Sequence, residues 1–275
     1  MAGKKVGKAR QHRAALAKET LAILDRGSYA RSDGQSVHIA DALDRAISAT
    51  RTITPEDTPR WRGEAHPDPD ITVANETTLV AARRLVAAGH DVAVLNFASA
   101  KNPGGGFQGG SEAQEESLAR SGGLFACLEN NRMYHVNRQH KDPVYTNHMI
   151  YSPGVPFFRD DGGALLDDPW RCAVITAPAV NAGVARKRNT SRRKIEQVMR
   201  ERMHRVLSLA AQEGHDTVVL GAWGCGVFRN DPAEVAGLFD EALSGALRGA
   251  FRLAHFAVYD TADGRFISAF RNRLG

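Results

Sequence analysis

Strand and helix patterns alternate after residue 70, and this alternation constrains the fold more than any other feature. Apolar, β-branched runs predict buried strands at residues 71–74, 91–97, 148–152, 172–176, 217–221 and 251–259. Helical patterns fall between them, at residues 77–88, from about 113, at 191–213 and at 233–247. This order is typical of an α/β fold whose sheet is covered by helices on both faces. Ligands of such sheets bind beyond the carboxyl ends of the strands.

The first part of the chain has a different pattern. Residues 8–26 and 39–50 read as helices, and four prolines mark residues 52–70 as a connector. We therefore predict a mainly helical extension over residues 1–69 and a second domain over residues 70–275. The basic amino terminus precedes no apolar segment, and no run of about 18 apolar residues exists, so neither a secretory signal nor a membrane span is expected.

Charge and cysteine content narrow the class of protein. The 275 residues include 36 Lys and Arg against 31 Asp and Glu, a net charge of +5 that favours an anionic partner. Nucleic acid, a nucleotide or simple solubility all remain open at this point. Cys127, Cys172 and Cys225 are too far apart for a zinc or disulfide framework, so a reducing cytoplasm is the expected compartment.

A glycine-rich loop follows the predicted strand at residues 91–97. Residues 102–110 read Asn-Pro-Gly-Gly-Gly-Phe-Gln-Gly-Gly, and such a backbone approaches a ligand closely and presents N–H groups to an anion. The loop matches neither the dinucleotide fingerprint nor the phosphate loop of nucleotide triphosphatases. A flexible surface loop is the alternative.

A second glycine-rich loop, residues 221–232, joins an apolar strand to a helix. Asp231 is the predicted N-cap and Pro232 the first helical residue. A strand, a glycine turn and a helix amino terminus together suit a diphosphate, although a purely structural connection remains possible. Cys225 lies in this loop, and an inert cysteine is favoured over a nucleophile because no base for it can be identified.

Two adjacent carboxylates follow the first loop. After seven intervening residues, Gly106 is followed by Gln114, Glu115 and Glu116 at the start of a predicted helix. The helix dipole lowers the pKa of such carboxyls, whereas mutual repulsion and burial under a ligand raise one of the two. A general acid needs that upward shift. An ordinary acidic first turn is the alternative.

Together, these motifs resemble the signature of the microbial-type poly(ADP-ribose) glycohydrolases. The resemblance covers most of residues 70–260 and is carried by residues 96–106, 114–120, 151–156, 176–181 and 221–232. It implies a macrodomain-like three-layer α/β/α sandwich with a mixed sheet. It also implies hydrolysis of the ribose–ribose bond of poly(ADP-ribose), without cofactor or metal.

The resemblance also assigns roles. Glu116 would be the general acid and base, Glu115 would hold ribose hydroxyls, and Gln114 would align the site. Asn102 would contact a ribose hydroxyl, and Phe228 would lie against the distal ribose. Backbone contacts to diphosphate and ribose are implied for the glycine loops, at Gly104, Gly105, Gly106, Gly224, Cys225, Gly226 and Val227. Phe157 and Phe158 are candidates for stacking on adenine.

The implied partners are poly(ADP-ribose), ADP-ribose and poly-ADP-ribosylated proteins, in a cytoplasmic monomer that serves the DNA damage response. Direct nucleic-acid binding is not expected, because aromatic residues do not interleave the basic stretches. The extension resembles a cap over the terminal ribose, which predicts exo-cleavage; simple packing on the core is the alternative.

Two further questions stay open in the sequence. Nine basic residues between Arg186 and Arg205 are either a polymer contact or a solvated helix face. A non-catalytic macrodomain that binds ADP-ribose and a hydrolase that removes ADP-ribose from protein or nucleobase are the competing functions.

Overall fold

The computed structural model describes residues 2–67, 69–261 and 263–275, and only the backbone of residues 2–6. Lys4 and Lys5 of the basic amino terminus thus lie outside the described side chains. Among the helices of the described residues, none has the length and apolar character needed to cross a bilayer.

The centre of the molecule is a seven-stranded mixed sheet with the order β3-β6-β7-β5-β8-β9-β4. Its strands are β3 Arg51–Ile53, β4 Asp70–Ala74, β5 Val92–Phe97, β6 Met149–Arg159, β7 Leu165–Ala177, β8 Thr217–Leu220 and β9 Leu253–Ala257. Strands β7, β5, β8, β9 and β4 run parallel, whereas β6 is antiparallel to both β3 and β7. The carboxyl ends of the five parallel strands therefore meet at one edge.

Helices cover both faces of this sheet. They are α1 Ala2–Arg26, α2 Ala40–Ala49, α3 Thr78–Ala87, α4 Gln114–Ser121, α5 Leu124–Leu128, α6 Arg132–Gln139, α7 Ala182–Lys187, α8 Arg192–Gln212, α9 Pro232–Ser244 and α10 Arg265–Leu274. Alternate residues of β5 enter opposite cores: Val92 and Val94 pack with α3, and Ala93 and Leu95 pack with α8 and α9. The predicted α/β architecture with a mixed sheet between helical layers is confirmed.

The hairpin of β6 and β7 is much longer than the sequence predicted. In the sequence, the strand pattern is interrupted by glycine and proline residues, among them Gly154, Pro156 and Pro169. The structure accommodates Pro153 and Gly154 through a register shift between Ser152 and Val155. Helix α10 was also missed, although Phe266, Ile267, Phe270 and Leu274 give it a packed face.

The first 69 residues are joined closely to the rest of the chain. Strand β3 forms an edge of the main sheet by pairing with β6, and the predicted boundary at residues 69 and 70 thus separates segments that share one sheet. A small hairpin of β1 Ser28–Ala30 and β2 Ser36–His38 follows α1. Tyr29 of β1 donates a hydrogen bond to the Leu166 carbonyl at 2.5 Å, which ties this hairpin to β7.

Candidate active site

A cleft of about 1080 Å³ opens at the carboxyl edge of the sheet. The two glycine loops follow β5 and β8 and form part of its lining, together with α4. The loops are distant in the sequence but adjacent in space because β5 and β8 are neighbouring parallel strands. The edge of the sheet thus brings both predicted motifs into one site.

The first loop folds into a tight turn that needs glycine. Gly104 and Gly105 have φ values of 65° and 59°, in the left-handed region that side chains disfavour. A short 3-10 helix, Phe107–Gly109, continues the loop, and the Phe107 ring is buried against Phe125 with ring centroids 5.0 Å apart. The buried Phe107 ring fixes the loop to the core of the protein, and Gly105 and Gly106 line the cleft.

The two glutamates hold the two ends of the first loop. Glu116 Oε1 accepts a hydrogen bond from the Gly106 amide at 2.9 Å, and Glu115 Oε2 accepts one from the Ser99 amide at 2.6 Å. Both carboxyls line the cleft. A Cβ atom at Gly105 would stand 2.9 Å from Glu116 Cδ, so the loop approaches the carboxyl closely enough to exclude any larger residue.

The environments of the two carboxyls differ. Glu115 is only 3% exposed, and its Oε1 has no hydrogen-bond partner within the described residues. Burial raises the pKa of Glu115 from 4.5 to about 8, and the neighbouring charge of Glu116 adds to that effect, while the Ser99 amide opposes it. The predicted upward shift therefore falls on Glu115, which the cleft wall keeps from water, and Glu115 holds a proton at neutral pH.

Gln114 connects α4 to the sheet. Its side-chain oxygen accepts from the Phe97 amide at 2.8 Å, and its nitrogen donates to the Leu95 carbonyl at 2.8 Å. Through these two bonds the Gln114 side-chain amide pairs with the backbone of β5, as a residue of a neighbouring strand would. Gln114 thereby fixes the first turn of α4, and with it the positions of Glu115 and Glu116.

Asn230 closes the second loop. Its buried side-chain amide donates to the carbonyls of Val180 at 2.8 Å and Gly224 at 3.0 Å. Gly224 has a φ of 72°, and a Cβ there would collide with Ala179. The predicted N-cap Asp231 accepts from the amides of residues 233 and 234, with Pro232 at the first helical position as predicted.

The apex of the second loop presents backbone and apolar groups to the cleft. Gly226 has open space where a side chain would stand, and Val227 is 87% exposed. Phe228 lines the cleft and rests on Tyr145, with ring centroids 5.9 Å apart. The Cys225 thiol is buried instead, and burial raises its pKa to about 12, which agrees with an inert cysteine.

Ten of the twelve predicted site residues line this cleft: Gln114, Glu115, Glu116, Asn102, Gly105, Gly106, Gly224, Gly226, Val227 and Phe228. Gly104 and Cys225 are buried within their loops. The prediction that Phe157 or Phe158 stacks on adenine is wrong. Both rings are fully buried in β6, Phe157 against Trp170 and Phe158 against Tyr29, because β6 continues beyond its predicted end.

Other parts of the cleft wall were missed from the sequence. They come from α1, the start of α3, the tip of the β6–β7 hairpin and the segment after β9, and include His12, Arg13, Leu16, Thr77, Asp160, Asp161, Tyr259 and Phe266. Position after a parallel strand was an available signal for Thr77 and Tyr259. The family resemblance predicted that the extension covers the terminal ribose, but no residue pattern indicated which side chains of α1 would line the cleft.

Helix α1 is bound directly to the first glycine loop and to α4. Arg10 and Arg13 donate through Nε to the carbonyls of Gly109 and Gly110 at 2.8 and 2.9 Å. Thr20 donates to the Arg120 carbonyl at 2.6 Å. The first helix therefore supports the residues that connect the glycine loop to the carboxylates.

The comparisons with known proteins agree with this geometry. The profile of the microbial-type PARG catalytic domain matches residues 17–160, which include the first loop and both glutamates. The chain belongs to the microbial-type poly(ADP-ribose) glycohydrolase family. It is a glycosidase that hydrolyses poly(ADP-ribose), and the reading as a non-catalytic macrodomain is excluded.

Solved structures of bacterial glycohydrolases superpose closely on this one. The poly(ADP-ribose) glycohydrolase of Thermomonospora curvata is 46% identical, with a TM-score of 0.92 over 96% of this chain and 99% of that one. The same enzyme bound to the inhibitor ADP-HPD gives a TM-score of 0.88 at 46% identity over the same shares. The Deinococcus radiodurans glycohydrolase in complex with ADP-ribose is 46% identical, with a TM-score of 0.79 over 84% of this chain and 96% of that one.

None of the curated protein sequences compared matches this glycohydrolase. Within the described part of the chain, no group of three or more His, Cys, Asp or Glu side chains is arranged to hold a metal ion.

Proposed function

We propose that this glycohydrolase removes single ADP-ribose units from polymer ends, with Glu116 as the general acid and base. The observation that carries the proposal is the hydrogen bond between Glu116 and Gly106, which fixes a carboxyl of the cleft against the glycine loop. Glu116 would protonate the leaving ribose oxygen, and its carboxylate would then activate the water that attacks the anomeric carbon.

Glu115 is proposed to hold the ribose rather than to transfer the proton. With its pKa raised to about 8 by burial, the carboxyl is neutral at pH 7 and donates a hydrogen bond to a ribose hydroxyl. A neutral Glu115 also places no negative charge next to the Glu116 carboxyl. The two neighbouring glutamates thus have different roles: Glu115 donates a hydrogen bond that binds the ribose, and Glu116 carries out catalysis.

The diphosphate is proposed to lie between the two glycine loops. Gly105 and Gly106 offer backbone on one side, and Gly224 and Gly226 on the other, all lining the cleft. The loop after β8 leads into the amino terminus of α9, whose dipole favours an anion. Asn102 and Phe228 then flank the distal ribose. The substrate is held mainly by backbone groups, so much of the rate comes from its alignment against Glu116.

Exo-cleavage is supported by the wall that α1 and the β6–β7 hairpin form together. Leu16 of α1 packs so closely on Gly163 that a side chain there would collide with it. Residues on both sides of this contact line the cleft. We propose that this wall closes the cleft beyond the terminal unit, so that an internal segment of the polymer cannot pass through.

The test of the catalytic assignment compares the parent enzyme with Glu116→Gln and Glu115→Gln. Free ADP-ribose released from purified polymer is measured, and ADP-ribose binding is measured separately. We expect Glu116→Gln to bind ADP-ribose and release none. Glu115→Gln keeps a neutral side chain, so it should retain more activity than Glu116→Gln. Equal release by the parent and Glu116→Gln would refute the role of Glu116.

The test of exo-cleavage is the product distribution at early times. Long polymer should yield free ADP-ribose from the first time points, while the remaining chains shorten gradually. Release of oligomers from the start would show that internal bonds are cleaved and that the α1 wall does not block the cleft.

We further propose that the substrate in the cell is poly-ADP-ribosylated protein, hydrolysed by a cytoplasmic monomer during the DNA damage response. The three cysteines are free and buried, which agrees with a reducing compartment. The cellular role rests on the family resemblance. Cells that lack the enzyme should accumulate polymer on protein after DNA damage, and unchanged polymer levels would contradict this role.

A further inference from the structure

Three hydrogen-bonded pairs of basic residues lie next to the two glycine loops in the structure. We name these six residues the basic rim; its members are Lys101, Arg138, Lys141, Arg186, Arg188 and Arg229. Lys101 precedes Asn102 in the first loop, and Arg229 follows Phe228 in the second. Asn102 and Phe228 both line the cleft, so Lys101 and Arg229 adjoin the substrate site.

Backbone hydrogen bonds hold the rim together. Arg138 donates to the Lys101 carbonyl at 2.8 Å, Arg188 to the Lys141 carbonyl at 2.7 Å, and Arg186 to the Arg229 carbonyl at 3.0 Å. Each arginine uses one terminal nitrogen for its carbonyl, which leaves further N–H groups of the same guanidinium for another acceptor. Three of the six rim side chains are therefore fixed to the backbone of another rim residue.

The charges of the rim are not neutralised within the described residues. None of its six side chains takes part in an ion pair there, and all but the half-buried Lys101 are exposed. Two carboxylates neighbour it in the sequence. Asp142 accepts from the Val144 amide and Asp231 from the Ala233 amide, so both are engaged with backbone groups. Six cations thus remain available to an external anion.

The wall formed by α1 and the hairpin has the opposite character. Arg13 pairs with Glu112 at 2.8 Å, and the buried Arg159 pairs with Glu19 at 2.7 Å. Asp160 and Asp161 also line the cleft on this wall. The cleft-lining Arg13 and Arg159 of this wall are thus paired with carboxylates, unlike the cations of the basic rim.

We propose that the basic rim binds the diphosphates of the poly(ADP-ribose) chain next to the unit held in the cleft. The inference rests on the proposed function, in which the cleft holds the terminal unit. Glu115 and Glu116 bind the two ends of the loop that contains Lys101, so the bond being cleaved lies close to the rim. Each polymer unit carries one diphosphate, whose negative charge the guanidinium and ammonium groups complement.

The rim replaces the larger basic cluster that the sequence suggested between residues 186 and 205. Within α8, Arg202 is buried and donates to the carbonyls of Val144 and Pro178, and Arg205 donates to those of Thr54 and Asp57. These two residues support the fold. Arg192 and Arg200 pair with glutamates. The start of the cluster, at Arg186 and Arg188, is the part that belongs to the rim.

The experiment measures binding of long poly(ADP-ribose) against salt concentration in a Glu116→Gln background, so that the polymer is not consumed. The rim variant is Lys101→Gln with Lys141→Gln, because neither ammonium group makes a hydrogen bond within the described residues. The matched control is Arg248→Gln with Arg252→Gln, which also removes two positive charges. These residues lie just before β9, at the amino end of that parallel strand, whereas the cleft lies at the carboxyl ends of the strands.

Two lost phosphate contacts should lower the slope of log Kd against log salt by about 1.4, since each contact on a single-stranded polyanion contributes about 0.7. The control should keep the parent slope, and ADP-ribose affinity should stay within about twofold in both variants because one unit fills only the cleft. Equal slopes for the rim variant and the control would overturn the proposal.

Two further measurements separate the alternatives. Equal competition by a single-stranded oligonucleotide with the same number of phosphates would show a general polyanion surface and would overturn the assignment to the substrate. With Glu116 restored, the rim variant should raise KM for long polymer, and to a smaller extent for the two-unit fragment, whose second diphosphate is the one next to the cleft. Absence of ADP-ribose release by the parent enzyme would contradict the proposed function itself, independently of the rim.

Discussion

Replacement of Glu115 by Gln should stabilise the protein increasingly as the pH rises. The unfolded chain loses the Glu115 proton above its ordinary pKa of 4.5, whereas burial keeps that proton in the folded state until pH about 8. Between these values the folded state binds more protons than the unfolded state, so the parent loses stability as the pH rises. The side-chain amide of the Glu115→Gln variant has no such proton to lose, and the variant therefore escapes this loss.

The magnitude follows from the two pKa values. One pKa unit corresponds to about 1.4 kcal/mol, and the difference between 4.5 and about 8 therefore amounts to roughly 5 kcal/mol at full ionisation. Between pH 5 and pH 8 the advantage of the variant should grow by about 4 kcal/mol, or about 1.4 kcal/mol for each pH unit. Such a change is a large fraction of the free energy of unfolding of a typical domain.

The assay is urea unfolding of the parent, Glu115→Gln and the surface variant Glu129→Gln at several pH values between 5 and 8. Glu129→Gln controls for removal of a negative charge at an exposed position. A constant difference between Glu115→Gln and the parent across this range would refute the reasoning, because it would mean that Glu115 is ionised in the fold. Activity offers a second readout: the parent should lose activity above pH about 8, where Glu115 ionises and no longer donates a hydrogen bond to the ribose hydroxyl.

Three further substitutions test how the site is held. Gly105→Ala should lower kcat by roughly 100-fold, because the new Cβ displaces the catalytic carboxyl; Gly154→Ala has a similar φ of 61° in open space, and an equal loss there would point to backbone strain instead. Asn230→Ala should cost about 1–3 kcal/mol in unfolding experiments and weaken ADP-ribose binding by calorimetry, because it removes two buried side-chain hydrogen bonds; unchanged affinity would argue against Asn230 as a support of the diphosphate loop. Arg13→Ala should lower kcat about tenfold with ADP-ribose affinity retained, since it loosens the catalytic segment; an unchanged kcat in steady-state assays would contradict that support.

Local patterns were sufficient for much of the fold. The run from Val92 to Phe97 predicted a buried strand because both of its faces are apolar, and both faces do enter a core. Asp231 and Pro232 marked the start of α9, because capping depends on neighbours within one helical turn. The edge strand Arg51–Ile53 was missed, because three residues without a distinctive pattern become a strand only through pairing with β6.

The residues of the candidate site also divide into those that local sequence patterns predicted and those that only tertiary packing explains. The spacing of Gly104 to Gly106 and Glu115 to Glu116 is a local property, and the structure places these residues together. Phe157 and Phe158 had the composition of a ligand-stacking pair, but their burial depends on Trp170 and Tyr29, which approach from other elements. Hydrophobic side chains of a strand and of a ligand pocket look alike in the sequence, so only packing distinguishes them.

The sequence by itself determined the alternation of the main strands and helices, the two glycine loops and the paired carboxylates, because these follow from backbone preferences and short spacings. The tertiary structure alone decided which glutamate retains a proton, that α1 supports the catalytic segment, and which cations of the basic stretch remain free. Each of these depends on the exclusion of water or on pairing of charges by residues far apart in the chain. Solvent exclusion at Glu115 is the clearest case, since Ser99 and the walls of the cleft produce it only after the whole sheet has formed.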